Sequence, residues 1–260
     1  MENHSGKPFW SWNGKLEEKE LKYQIDVMKE MGFGGYFMHS RTGLETEYLG
    51  EEWFELINSC ADYGQELNLE SWLYDEDRWP SGCAGGMVTR EEKFRAMNLD
   101  MFLLSAEEWE AYQPDLWSVG VFALENLKNG IFSGKRKLHA GDSVSVNETV
   151  VEFRCSYYPC SDGCNETTAA DTMNVEAMEK FIELTHEKYA QNCGDRIGTS
   201  IMGIFTDEPT RGTISIMETA DIGWHIHQSC LKNSKNVLAT ALRRICLSCF
   251  YGPARENWCR

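Results

Sequence analysis

The chain has 260 residues, 42% apolar and 25% charged, with a formal net charge of -16 and a pI of about 4.8. That length fits one large α/β domain or two small ones. The acidity excludes nucleic acid, whose phosphates need Lys and Arg on the protein, and anionic membrane surfaces, and it suits a neutral ligand.

No apolar run approaches the roughly 20 residues that span a bilayer. Residues 1–7 lack the apolar h-region of a secretory signal, so a cytoplasmic location is expected. The ten cysteines are irregularly spaced. Cys246-x-x-Cys249 has no second pair or nearby histidine, so a four-ligand zinc site is poorly supported and most cysteines are expected to be free thiols. No protein partner is expected.

In chain order, residues 7–13 (KPFWSWN) read as a short aromatic strand. Residues 15–31 form an amphipathic helix with Leu16, Leu21, Ile25, Met28 and Met31 on one face, and Gly32 ends it. Residues 34–39 are a second strand, ending in His39-Ser40-Arg41. Residues 51–67 are a second helix with Trp53, Phe54, Ile57, Ala61 and Leu67 inward. Residues 69–74 are a third strand, ending in Asp75-Glu76-Asp77-Arg78-Trp79-Pro80. This alternation at roughly 30-residue intervals is the signature of βαβ units and a parallel sheet. Residues 89–98 read as the start of a third helix. From 101 to about 164, short alternating runs separated by Gly, Asn and Asp turns predict an antiparallel β insertion. Residues 175–192 read as one further helix, capped by residues 171–174. The apolar run 201–205 then reads as a strand buried on both faces, which ends in Asp207-Glu208-Pro209 because Pro209 cannot donate to a ladder.

A buried strand that delivers acids at its C-terminal end is how α/β barrels present catalytic groups. In a right-handed βαβ layout the strand ends share one side. Asp207 and Glu208 would then face Asp75, Glu76 and Asp77, with Trp10, Trp12, Asn13, His39, Arg41, Tyr74 and Trp79 around them. Flat aromatic faces pack on the C–H side of a pyranose, polar groups bind its hydroxyls, and a pair of carboxylates cleaves a glycosidic bond. Blander readings stand beside these. Trp10 and Trp12 alternate, so they share a face and can fill core instead. His39 can be a satisfied core group, Arg41 can pair with Glu45, and 75–77 can be a solvated turn. A divalent cation at that triplet suits its oxygens, although the spacing matches no EF-hand loop.

Several motifs together resemble glycoside hydrolase family 106, the α-L-rhamnosidase-like proteins: PFWSWN at 8–13, GGYFMHSRxGL at 34–44, YLxxEW at 48–53, WLYDEDxWPSGxAGG at 72–86 and FTDEP at 205–209. The resemblance covers about residues 7–215. It implies a (β/α)8 barrel with a β insertion after the third unit, a carbohydrate pocket at the strand C-termini, inverting hydrolysis of rhamnosides and an often-bound calcium ion. On it, Glu208 is the catalytic carboxylate, as general acid, with Asp207 beside it. Members of that family are much longer, and only about four barrel strands can be counted here. The expected fold is therefore a partial TIM-type barrel: residues 1–100 as three βα units, 101–170 as the insertion, 171–215 as the helix and strand carrying Asp207 and Glu208.

Residues 216–260 form an atypical basic, Cys-rich tail. From 222 onward they hold six Lys or Arg against one acid, and four of the ten cysteines. The reversal of charge suggests a natural chain interrupted there by a shifted reading frame; the alternative is a basic cap on an acidic body. The expected activity is hydrolysis of α-L-rhamnosides or related plant or bacterial polysaccharide side chains. The competing readings are a non-catalytic carbohydrate-binding remnant and a metal-dependent hydrolase of another substrate class.

Overall fold

The computed structural model describes residues 6–128, 131–160, 164–209 and 224–226, with the backbone alone at 126–128, 131–135 and 224–226. Apart from 224–226, the basic segment 216–260 lies outside the described residues. Contacts divide the chain into two units, one within Met1–Arg95 and Pro159–Arg211, the other within Ala96–Tyr158 and Gly212–Arg260.

The first unit contains β1 (Phe9–Gly14), α1 (Glu18–Glu30), β2 (Gly35–Leu44), α2 (Glu51–Glu66) and β3 (Glu70–Tyr74), and later α4 (Val175–Leu184), α5 (His186–Cys193) and β8 (Ile201–Phe205). Its four strands pair in parallel in the order β1-β2-β3-β8. No closed barrel is formed among the described residues. Residues from α1, α2 and α5 share one core with Trp10, Trp12, Tyr36, Met38, Leu73 and Ile201 of the strands. The period-2 geometry of a strand puts alternate residues of each strand on this face. Gly64 lets α2 approach closely. A Cβ there would lie 2.2 Å from the Tyr36 hydroxyl, which donates to the Cys60 carbonyl at 2.7 Å.

The other face of the sheet gathers rings. Phe37 stacks on Phe9 at 5.1 Å, Phe205 meets both edge-on at 5.0 and 5.7 Å, and Trp72 lies 5.5 Å from Phe37. Gly203 makes room, since its Cβ would come within 2.7 Å of the Trp72 ring.

Two expected helices differ. Residues 89–98 form a 3-10 turn, Glu92–Phe94, and then enter β4 (Met97–Leu104). Met97 and Leu99 are buried while Asn98 and Asp100 are half-buried, so a period-2 pattern and pairing with the later strand Glu148–Tyr157 win over local helical preference. The helix expected over 175–192 breaks at Thr185 into α4 and α5. The Thr185 hydroxyl donates back to the Phe181 carbonyl at 2.7 Å, a bond that competes with the helical ladder and bends it.

The second unit is an antiparallel sheet in the order β6-β5-β7-β4-β9, with β5 (Ser118–Lys128), β6 (Ile131–Leu138), β7 (Glu148–Tyr157) and β9 (Trp224–Ile226). A short helix α3 (Ala106–Glu110) opens with a capping box made by Ser105 and Glu108. Leu99, Leu124, Val151 and Phe153 bury one face of the sheet, and Trp109, Val121, Ala123 and Val150 the other. The mixed α/β character expected from the sequence is present, as one parallel and one antiparallel sheet. Among the described residues no helix is long and apolar enough to cross a membrane, and all six described cysteines are free thiols.

Candidate active site at the strand C-termini

β3 and β8 are paired neighbours, and their C-terminal ends are stitched together by one buried carboxylate. Asp75 is fully buried. Its Oδ1 accepts from Ser81 Oγ at 2.6 Å and its Oδ2 from Thr206 Oγ1 at 2.6 Å. Ser81 in turn accepts from the Asp207 amide at 2.9 Å and donates its own amide to the Asp207 carbonyl at 2.9 Å. Burial pushes the Asp75 carboxyl up, while the hydroxyls of Ser81 and Thr206, and His186, pull it back.

Glu76 is buried in a cradle of main chain. Its two oxygens accept the amides of Asp77, Gly82, Cys83, Ala84 and Gly85 at 2.5–3.0 Å. Gly82, Ala84, Gly85 and Gly86 all have positive φ, which curls successive N–H groups toward one point and makes an anion nest. Burial raises the Glu76 carboxyl above its ordinary value and the backbone donors oppose that shift. Protonation would set an O–H against an N–H, so the cradle is built for the carboxylate. Asp77 is also engaged: Ser40 Oγ donates to Oδ1, and Asn165 Nδ2 donates to Oδ2 at 2.6 Å.

His39 is buried and stacks on Tyr74 with centroids 3.7 Å apart. Its Nδ1 has no hydrogen-bond partner among the described residues. Burial, with Arg41 nearby, lowers its pKa to about 4. The Tyr74 hydroxyl donates to the Arg78 carbonyl at 2.5 Å and lies 3.4 Å from Asp207 Oδ2; with one proton to give, it makes the shorter bond.

Glu208, Asn13, Arg41 and Trp79 are exposed and Asp207 is half-buried. Glu208 has φ +41, a left-handed conformation that costs a non-glycine residue about 1–2 kcal/mol, and makes no hydrogen bond or ion pair among the described residues.

The expected site residues thus separate. Asp207 and Glu208 stand at the strand end. Asp75, Glu76 and Asp77 are there too, and each accepts hydrogen bonds from the protein. Trp10 and Trp12, expected as a sugar platform, lie in the sheet–helix core. Trp10 donates to Gln24 Oε1 at 2.6 Å, and Trp12 packs edge-on against Trp53 at 5.1 Å. Trp79, Asn13 and Arg41 remain available to a ligand. His186 and Thr206, which sequence reasoning missed, belong to the Asp75 network; only the polarity of Thr206 beside Asp207 could have signalled it. Every oxygen of the acidic triplet accepts a hydrogen bond from the protein. No group of three His, Cys, Asp or Glu poised for a metal occurs among the described residues.

No protein-family model matches the chain, and no curated protein matches it. A solved rhamnosidase from Novosphingobium sp. PP1Y is similar at 17% identity with a TM-score of 0.31, over 49% of this chain and 15% of that protein. The chain therefore spans a small part of that rhamnosidase, and a likeness at this level does not establish a shared family.

Proposed function

We propose that this chain carries part of the active face of a glycoside hydrolase resembling family 106, acting on α-L-rhamnosides or related polysaccharide side chains. In this reading the four parallel strands belong to a (β/α)8-type barrel and Glu208 is the general acid. The observation that carries it is Glu208 itself: exposed at the C-terminal end of a parallel strand, without a partner among the described residues, and held in a left-handed conformation. Backbone strain of that kind clusters at functional sites. Asp207 anchors the acid through its main-chain bonds to Ser81, while Trp79, Asn13 and Arg41 offer a ring face and hydrogen-bonding groups to a sugar.

In the reaction Glu208 donates its proton to the glycosidic oxygen as the bond to the anomeric carbon breaks. A second carboxylate takes a proton from the attacking water. Inversion places the two carboxyl groups about 6.5–9.5 Å apart.

Glu208→Gln tests the assignment. Proton donation matters most when the leaving group is a poor one, so turnover of a rhamnosyl disaccharide should fall about 10²–10⁴-fold. A nitrophenyl rhamnoside, whose leaving group departs without a proton, should lose far less. Equal turnover of the disaccharide by the variant and the unaltered protein would remove Glu208 from the mechanism. The second reading, a carbohydrate-binding remnant, draws on Trp79 as an exposed platform. Rhamnose binding seen by tryptophan fluorescence, with no hydrolysis of either substrate by the unaltered protein, would favour it.

A further inference from the structure

The helix broken at Thr185 presents His186 to the buried Asp75. The ring is held on three sides. Thr185 Oγ1 lies 2.9 Å from Nδ1, the Phe181 ring packs edge-on at 5.6 Å, and Nε2 stands 3.6 Å from Asp75 Oδ2. That last distance is longer than a hydrogen bond but within reach of charged groups. Asp75 Oδ2 is also the oxygen that accepts from Thr206, and Asp75 Oδ1 reaches the Asp207 amide through Ser81. What the break supplies is an imidazole beside a buried carboxylate whose side-chain hydrogen bonds among the described residues come from two neutral hydroxyls. Thr185 gives its proton to the Phe181 carbonyl, so its oxygen accepts from Nδ1–H, and it is as the imidazolium that the ring turns a second N–H toward Asp75. A buried carboxylate with such a charged partner is a firmer anchor than one without.

We propose that His186 is a positioning residue for the strand end carrying Asp207 and Glu208, acting through Asp75; its consequence for catalysis rests on the reading of Glu208 as the acid. Without His186, Asp75 holds Ser81 and Thr206 less firmly, and the backbone that aims Glu208 loosens. A side chain that only fills space would give no such effect at a distance, and any variant keeping the packing would restore it.

The test has two independent arms. Hydrogen exchange at the Asp207 amide, which donates to Ser81, should speed up about tenfold in His186→Ala, a shift in local opening of the size expected for one lost supporting interaction. Exchange in β1 should stay unchanged. In the same variant kcat on a rhamnosyl disaccharide should fall about tenfold with KM unaltered, the signature of an interaction realised in the transition state. His186→Gln, whose amide nitrogen takes the place of Nε2, should recover both. His186→Phe, which keeps the packing on Phe181 without either nitrogen, should not, and it carries the comparison if the alanine variant does not fold. Unchanged exchange at Asp207, or full recovery by His186→Phe, overturns the proposal. Faster exchange at Asp207 together with an inert Glu208→Gln substitution would uphold the positioning role and overturn the catalytic reading.

Discussion

Asp75-Glu76-Asp77 follows β3 and Asp207-Glu208 follows β8, and the two strands are hydrogen-bonded neighbours. In the sequence both are acidic runs at a strand end, with an aromatic and a proline within three residues. In the structure every member of the first run accepts hydrogen bonds from the protein, whereas Glu208 of the second accepts none among the described residues. Burial makes the difference. Water cannot solvate Asp75 or Glu76, so each must find protein donors or lose its charge. The loop 77–86 is folded around that requirement. An exposed Glu208 has no such obligation and stays available to a ligand. An acidic cluster is therefore weak evidence of catalysis until its donors are counted.

The contrast fails most visibly if Glu76 is dispensable. Glu76→Ala leaves five backbone amides without an acceptor in a buried loop, and several unsatisfied donors together should cost more than about 3 kcal/mol. Urea unfolding should show a large fall in midpoint, or the variant should not fold. A loss below about 0.5 kcal/mol, the range of an ordinary surface change, would mean that the loop does not depend on the nest. Asp77→Ala removes an acceptor from Ser40 and Asn165 in a less enclosed place and should cost about 1–3 kcal/mol. By the same measure Glu208→Gln should be silent in stability while altering turnover, and a destabilisation as large as that of Asp77→Ala would erase the distinction between the two runs.

Much of the scaffold was legible because hydrophobic periodicity is local. The spacing of Leu21, Ile25 and Met28 on α1, and of Trp53, Ile57 and Ala61 on α2, marked the faces that are buried. The alternation of Trp10 and Trp12 placed both on one side of β1. It could not say which side, because large aromatic rings suit a helix-packed core and the face of a sugar alike. The core took the tryptophans, and Phe9, Ser11 and Asn13 took the other face. Residues 89–98 misled because pairing of Met97–Leu104 with β7 is non-local and leaves little trace in a short window. The break at Thr185 was hidden for a related reason: Thr185 is an unremarkable helix residue until the position of Asp75 gives His186 something to face. The cradle of Glu76 was partly written in Gly82, Gly85 and Gly86, whose clustering signals tight backbone curvature; what that curvature encloses was not.

The His39–Tyr74 stack joins β2 to β3 beside the first acidic run, and its response to acid is a gentler probe of the same rim. His39 is buried with Nδ1 unpartnered among the described residues, and its pKa in the folded chain lies at about 4, against 6.5 for the free side chain. Between those values the unfolded chain binds a proton at this position that the folded chain does not. Stability must then rise with pH across the window and fall as pH drops from 6.5 toward 4. At pH 7 the residue is neutral in both states and contributes nothing of this kind. His39→Phe keeps a ring on Tyr74 and removes the titration. Its unfolding midpoint should follow that of the unaltered protein above pH 6.5 and decline less steeply below it, by an amount that separates His39 from the carboxylates titrating in the same acid range. Parallel curves down to pH 4 would mean that the imidazole reaches water or a partner when protonated, and that the ring is less enclosed than its stacking on Tyr74 implies.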